Sequence, residues 1–511
     1  MPSNGMNRRE FVGLSAASVA GSVLGLASGA GAGPRSDSWD PDKPLLVTGK
    51  ALKVQPILMY RVAQRRPATS WKSWGGVQDD RAAAEESKRI ASELRGLKDR
   101  AGFPIEILPV TKVRSPEEAT AVHANEYDCV IVYPATGSGE TLRACFAPKQ
   151  DRDTLIFARH RSGPSYYWYE ALSTRYLETG DAGFTQNSCL DHGHLHVEDV
   201  VVDDTDELLW RLRSLYALKN FIGARIVALG GPWGKYAPDA PQVARDRYRL
   251  NIIDVPYEQV AGQIEAATRD VNLVRAAQRR AERYLKLPGT TLDTDKAFVT
   301  NSFLLYDVFK QLMRENNAPA FTIRGCMSKI LPIAKTTPCL TLGLMNDEGV
   351  MAFCESDFVI IPAGILLHYI AGKPVFMHNS TFPHNGVMTA AHCSAPRRLN
   401  GVRYEPAKIM THYESEYGAA PKVEIPVGQQ VTFIDPEYAT GRWLGFTGIV
   451  KSNPFYEVCR SQQDIQLQGD WKKLKSEVRD SHWMMVYGDY LKELTYAARK
   501  IGIRWVDLST T

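Results

Sequence analysis

The side chains of this chain that could do chemistry crowd between Leu344 and Arg398. Asp347, Glu348, Glu355, Asp357, His378, His384 and His392 all fall there, separated by apolar runs. Such a pattern predicts short buried strands with polar tips. Glu355 and Asp357 stand two positions apart, so on an extended strand both carboxylates would point the same way. Carboxylates and an imidazole arriving from successive strand ends are a donor set for a divalent cation.

The elements that must position these groups alternate in type. Val54–Tyr60, Ile105–Leu108, Cys129–Tyr133 and Leu155–Ala158 read as strands, with helices over Asp80–Asp99 and Pro116–Asn125 between them. A second α/β unit begins near Val202, with a helix from Asp206 to Phe221 and the strand Ala224–Leu229 entering a glycine turn. Alternating strands and helices predict parallel α/β sheets. From Val402 the texture changes to short strands between Gly and Pro turns, which predicts an antiparallel section closing as a small barrel. The expected layout is a leader at 1–32, a linker at 33–50 and α/β domains at 51–200 and 201–325. A C-terminal domain at 326–511 carries the metal site and a β-barrel section over 402–480.

At 511 residues the chain is too long for one core. A net charge of +4 on that length, with no basic tract interleaved with aromatics, gives no case for a nucleic-acid partner. Asn7-Arg8-Arg9-Glu10-Phe11 precedes a Gly/Ala/Ser-rich apolar run and the small residues Ala30-Gly31-Ala32. That layout is similar to a twin-arginine export signal and predicts a periplasmic or extracellular protein. The run is too short and too glycine-rich for a membrane span. Eight cysteines include no CxxC pair and mostly sit in apolar runs, so they read as buried small hydrophobes.

Two further groups stand out. Tyr166-Tyr167-Trp168-Tyr169 follows Arg159-His160-Arg161, and Trp443 lies in the late β section. Tyr167, Trp168 and Trp443 are candidates to stack on a sugar face, although aromatic clusters equally pack cores and subunit contacts. His192, His194 and His196 would share a face if extended, but no further ligand lies nearby in sequence, which favours a loop.

Four stretches, in order, resemble the L-fucose and L-arabinose isomerase superfamily. They are Gly325-Cys326-Met327-Ser328; Asn346-Asp347-Glu348-Gly349-Val350 with Cys354-Glu355-Ser356-Asp357; Ala391-His392-Cys393; and His482 with Val486-Tyr487-Gly488-Asp489-Tyr490. The resemblance spans roughly residues 200–511. It implies two Rossmann-like α/β domains and a β-rich one in a homo-oligomer, a hexamer in the family. It also implies aldose–ketose interconversion of a sugar supported by Mn²⁺. By match, Asp357, Glu355, His392 and His482 would be the metal ligands, with Glu355 and Asp357 as the catalytic carboxylates.

One departure matters. The family carries a glutamate a few residues after the cysteine matching Cys326, and here Lys329 stands at or near that position. An ammonium cannot ligate a cation and would repel it. Either Glu355 or Glu348 supplies the missing carboxylate, or Lys329 is itself the acid/base group, or the chemistry is altered. The expected function is therefore a metal-dependent aldose–ketose isomerase working through an enediol. The alternative is an exported sugar-binding or epimerase/lyase-type relative that has lost isomerase turnover.

Overall fold

Strands covered on both faces lose the apolar/polar alternation and become continuous apolar runs. Cys129–Pro134 (CVIVYP) and Asp153–Ala158 (DTLIFA) are of this kind and are buried at every position. In the computed structural model they are central in a parallel sheet ordered Ile105–Ile107, Leu52–Met59, Cys129–Pro134, Asp153–Ala158, Val200–Val202. The structure describes residues 39–148, 151–164, 172, 177, 195–437, 441–477 and 481–509. The expected leader at 1–32 and Tyr167, Trp168, His192 and His194 lie outside the described residues. Among the described residues no helix is long and apolar enough to cross a membrane.

A second parallel sheet is ordered Met351–Phe353, Ala320–Ile323, Arg225–Leu229, Asn251–Val255. Helices of amphipathic pattern flank it, among them Tyr257–Arg269 and Lys296–Glu315. The broad expectation of parallel α/β sheets with an antiparallel barrel is met. The barrel has six strands in closed order: Gln430–Glu437, His482–Tyr487, Phe376–Ser380, Val387–His392, Ser461–Gln468, Arg442–Ser452, and back to Gln430–Glu437. It therefore reaches to both sides of the expected 402–480 section. Aromatic rings fill it: Phe433 stacks on Phe446 at 4.8 Å between centroids, and Trp483 and His378 pack edge-on against Phe433. A small barrel has an interior just wide enough for side chains, so closure buries rather than opens this space.

A helix ties sheet and barrel together. Ile361–Ala371 is buried at every position and follows directly on the acidic stretch. Its Gly364 lies so close to both neighbours that a Cβ there would meet Met484 Cε at 2.7 Å and Phe353 Cε1 at 2.8 Å. The missing side chain thus sets the spacing between the strand leading into Glu355 and the barrel strand that begins at His482.

Two predictions follow from this packing. Gly364→Val should lower unfolding stability by about 1–3 kcal/mol through overpacking, although glycine is ordinarily the poorer helix former; denaturant titration of the two proteins checks this. His368, near the end of the same helix, is held at a pKa of about 4 because burial outweighs the hydrogen bond to the backbone at Lys373. The unfolded chain takes up this proton near pH 6.5, whereas the folded one resists until about 4. Stability should therefore fall as pH drops across that interval, by up to about 3 kcal/mol for this group. Thermal melts between pH 7 and 4.5 should show a shallower slope for His368→Leu than for the native protein.

Candidate metal centre

Open parallel sheets bind ligands beyond the carboxyl ends of their strands. Three such ends meet here. Arg225–Leu229 runs into Gly230-Gly231-Pro232-Trp233, Ala320–Ile323 into Arg324-Gly325-Cys326, and Met351–Phe353 into Cys354-Glu355-Ser356-Asp357. The rim of the barrel faces them.

The acidic stretch is not the extended strand tip expected from its sequence. Glu355 and Ser356 are both left-handed, with φ of +62° and +50°. Consecutive non-glycine residues in that region cost roughly 1 kcal/mol or more each and persist only where the surroundings hold them. The surroundings do so on both sides. Ser356 N–H donates to Thr322 Oγ1 at 3.1 Å, and Trp233 N–H donates to Ser356 O at 3.2 Å. The Trp233 indole N–H donates to the Glu355 carbonyl.

Asp357 is 2% exposed and its acceptors are taken. Oδ1 accepts from Lys235 N–H at 3.0 Å and from Val359 N–H at 3.2 Å, while Oδ2 stands 2.7 Å from His482 Nδ1. Asp357 thus orients an imidazole, and this carboxylate–histidine arrangement is the one that fixes a metal-binding tautomer. With its Nδ1 proton donated to Asp357, His482 turns Nε2 toward Glu355, and in the neutral imidazole that nitrogen carries the lone pair. That Nε2 is buried without a hydrogen-bond partner and lies 3.4 Å from Glu355 Oε2.

Strand pairing brings the two histidines to one rim. Asn379 pairs with Ala391 on one side and with His482 on the other, and His392 is one residue beyond Ala391. The two rings stand 6.3 Å apart. His392 Nε2 lies 3.7 Å from Glu355 Oε1, and its Nδ1 is 2.9 Å from Ser394 Oγ, a hydroxyl that can turn to donate or accept. One oxygen of Glu355 therefore faces each histidine. Burial pushes the Glu355 carboxyl up, but the neighbouring imidazoles outweigh burial and hold it well below the usual carboxylate range. Burial lowers the His482 pKa, and the carboxylates of Asp357 and Glu355 overcome this and raise it. A donor atom from each of Cys354, Glu355 and His392 lies within 4.8 Å of the others.

The structure brings together Glu355, Asp357, His392 and His482 of the expected residues. Lys329 is exposed on the helix Cys326–Ala334. Trp443 is 3% exposed and packs on Tyr248 at 5.8 Å between ring centroids, so it has little surface to offer a sugar. Glu348 is engaged by Tyr306 Oη at 2.5 Å and Lys310 Nζ at 3.1 Å, which removes it as the substitute carboxylate. Asp347 accepts from the backbone N–H groups of Arg397 and Arg398. His196 caps a short turn, with Nδ1 accepting from Glu198 N–H. Sequence reasoning missed Trp233 and Cys354. The glycine turn after Leu229 marks the first, since a ligand site at a strand end makes its loop residues candidates. Cys354 had no spacing motif to single it out.

No family model matches the sequence, and no curated protein matches it. Among solved structures, a LacI family transcription regulator from Clostridium acetobutylicum is similar at 11% identity and a TM-score of 0.14. That similarity covers 53% of this chain and 79% of the other, and so low a score carries no argument.

Removing the Asp357 carboxylate leaves two backbone N–H groups and the His482 Nδ1 without their acceptor. Asp357→Ala should lower stability by about 3 kcal/mol or more in urea titration, whereas Asp357→Asn, which keeps an acceptor oxygen, should lose less.

Proposed function

We propose that this protein is a metal-dependent aldose–ketose isomerase acting on a sugar through an enediol. The convergence that carries the reading is Glu355 between His392 and His482, with Asp357 locking His482. Four chemically matched side chains from the acidic turn and two barrel strands meet there, although Asp357 and His482 alone are 125 positions apart. The donor set fits a divalent cation: a carboxylate kept ionised and two imidazoles, one of them with a buried nitrogen that has no other hydrogen-bond partner. A bound cation would supply Lewis-acid stabilisation of charge developing on the sugar oxygens.

The residues divide the remaining work. Glu355 is the one carboxylate of the group that is partly open, with 35% of its side chain exposed, so it is the group able to meet a sugar C–H. Being ionised, it can take the proton α to the carbonyl and return it at the neighbouring carbon. Asp357 holds His482 in one tautomer. Trp233, half-buried under the Arg324 guanidinium at 5.1 Å, offers an aromatic edge beside Glu355 on which a sugar could pack. A homo-oligomer and an export route remain part of the reading, supported by the resemblance and by the leader sequence.

The second reading, a sugar binder without turnover, is favoured by one observation. The family glutamate is absent, and Lys329, which stands at its place, is exposed rather than turned into a carboxylate cluster. Solvent deuterium exchange at the sugar α carbon, run over a panel of aldoses with added Mn²⁺ or Zn²⁺, separates the two. Exchange should be present in the native protein and fall at least roughly 100-fold in Glu355→Gln, with sugar affinity retained. Lys329→Ala should exchange at the native rate. Sugar binding without exchange under every metal would sink the isomerase reading and leave the binder.

A further inference from the structure

Cys354 is the donor of this centre that the isomerase reading leaves without a task. It follows the strand Met351–Phe353, is 5% exposed, and places its sulfur within 4.8 Å of donor atoms on Glu355 and His392. Its thiol is in hydrogen-bond contact with that of Cys326, the first residue of the helix Cys326–Ala334. Two ligand atoms on a tetrahedral ion with bonds of 2.0–2.3 Å stand about 3.3–3.8 Å apart. The Glu355–His392 and Glu355–His482 separations of 3.7 and 3.4 Å already have that span. A second observation points at the same carboxylate: His482 is 1% exposed, and its Nε2, 3.4 Å from Glu355 Oε2, has no other hydrogen-bond partner.

We propose that Cys354 is a thiolate ligand of the site's cation, beside Glu355 and His392, and that the centre selects a thiophilic divalent ion of the zinc class over manganese. The inference rests on the reading that a cation works at this site, and it adds which ion and through which atom. A carboxylate-rich centre suits hard manganese, whereas sulfur with imidazole suits zinc or cobalt. Here the carboxylate expected near Lys329 is absent, and a sulfur is within reach of the same group. Binding replaces the S–H bond of Cys354 by a sulfur–metal bond and releases one proton to solvent; no electron is transferred.

The full chain, stripped with a chelator and titrated with Co²⁺, tests this directly. Thiolate ligation gives an intense sulfur-to-cobalt charge-transfer band in the near ultraviolet, alongside the visible bands that report bound cobalt whatever its ligands. The native protein should show both. Cys354→Ser should lose the charge-transfer band, keep visible bands, and lose Zn²⁺ affinity by roughly 100-fold while Mn²⁺ affinity changes by less than about threefold. Cys326→Ser should keep the charge-transfer band. Bound cobalt without that band in the native protein, or a band lost only in Cys326→Ser, overturns the thiolate assignment and leaves the metal centre standing. No cobalt binding at all removes the metal centre, and the thiolate with it. Because the native spectrum alone decides the first point, a variant that fails to fold does not rescue the idea.

Discussion

The hydrogen bond between Asp357 and His482 is the contact on which the rest of the centre depends. It joins a turn at the end of a parallel sheet to the first residue of a barrel strand 125 positions later. Both partners are almost fully buried, so the pair is costly unless each polar atom is answered. Asp357 is answered three times, by Lys235, Val359 and His482. His482 is answered once, and its other nitrogen is left facing Glu355. An arrangement that satisfies every atom but one, and aims that one at an ionised carboxylate, is what a cation would complete.

The spacing that makes this contact possible is set elsewhere, in packing with no polar content. The helix Ile361–Ala371 starts where the acidic turn ends, with Ile361 N–H donating to Asp357 O at 3.0 Å. Its Gly364 lets Phe353 and Met484 approach from either side. The strand before Glu355 and the strand begun by His482 are thereby held in register through one helix. Strand pairing then adds His392, because Asn379 has Ala391 and His482 as its two partners.

What was legible in the sequence follows the range of the interactions involved. Apolar periodicity gave the helix from Asp80, which ends at Arg100, and continuous apolar runs gave Cys129–Pro134 and Asp153–Ala158. These features are local. The late strands around Gln430–Glu437 and Arg442–Ser452 were legible for the same reason. Of the barrel's other members, Phe376–Ser380 and Val387–His392 were not assigned to it, because closure pairs them with strands roughly 70–110 residues away and no local pattern announces a partner at that distance. At the site, the residue types of Glu355, Asp357, His392 and His482 were informative and their conformation was not. Period two placed the carboxylates on one strand face, whereas the backbone reverses through two left-handed residues that carry no glycine. Trp443 shows the converse limit: an aromatic in a β section is as well suited to a core as to a sugar, and here the core holds it.

The left-handed turn explains why two carboxylates so close in sequence take different tasks. On a straight strand Glu355 and Asp357 would be equivalent, side by side and equally exposed. The reversal sends Asp357 inward to backbone donors and an imidazole, and leaves Glu355 with one oxygen toward each histidine and a third of its side chain open. Their environments diverge accordingly: one carboxylate is spent on structure, the other is kept ionised and accessible by the imidazoles beside it. Environments that push two neighbouring carboxylates apart in this way give them distinct chemical character. The strain held by Thr322 and Trp233 is the physical means of that separation, so relaxing the turn would return the two acids to equivalence and dissolve the centre even with every side chain retained.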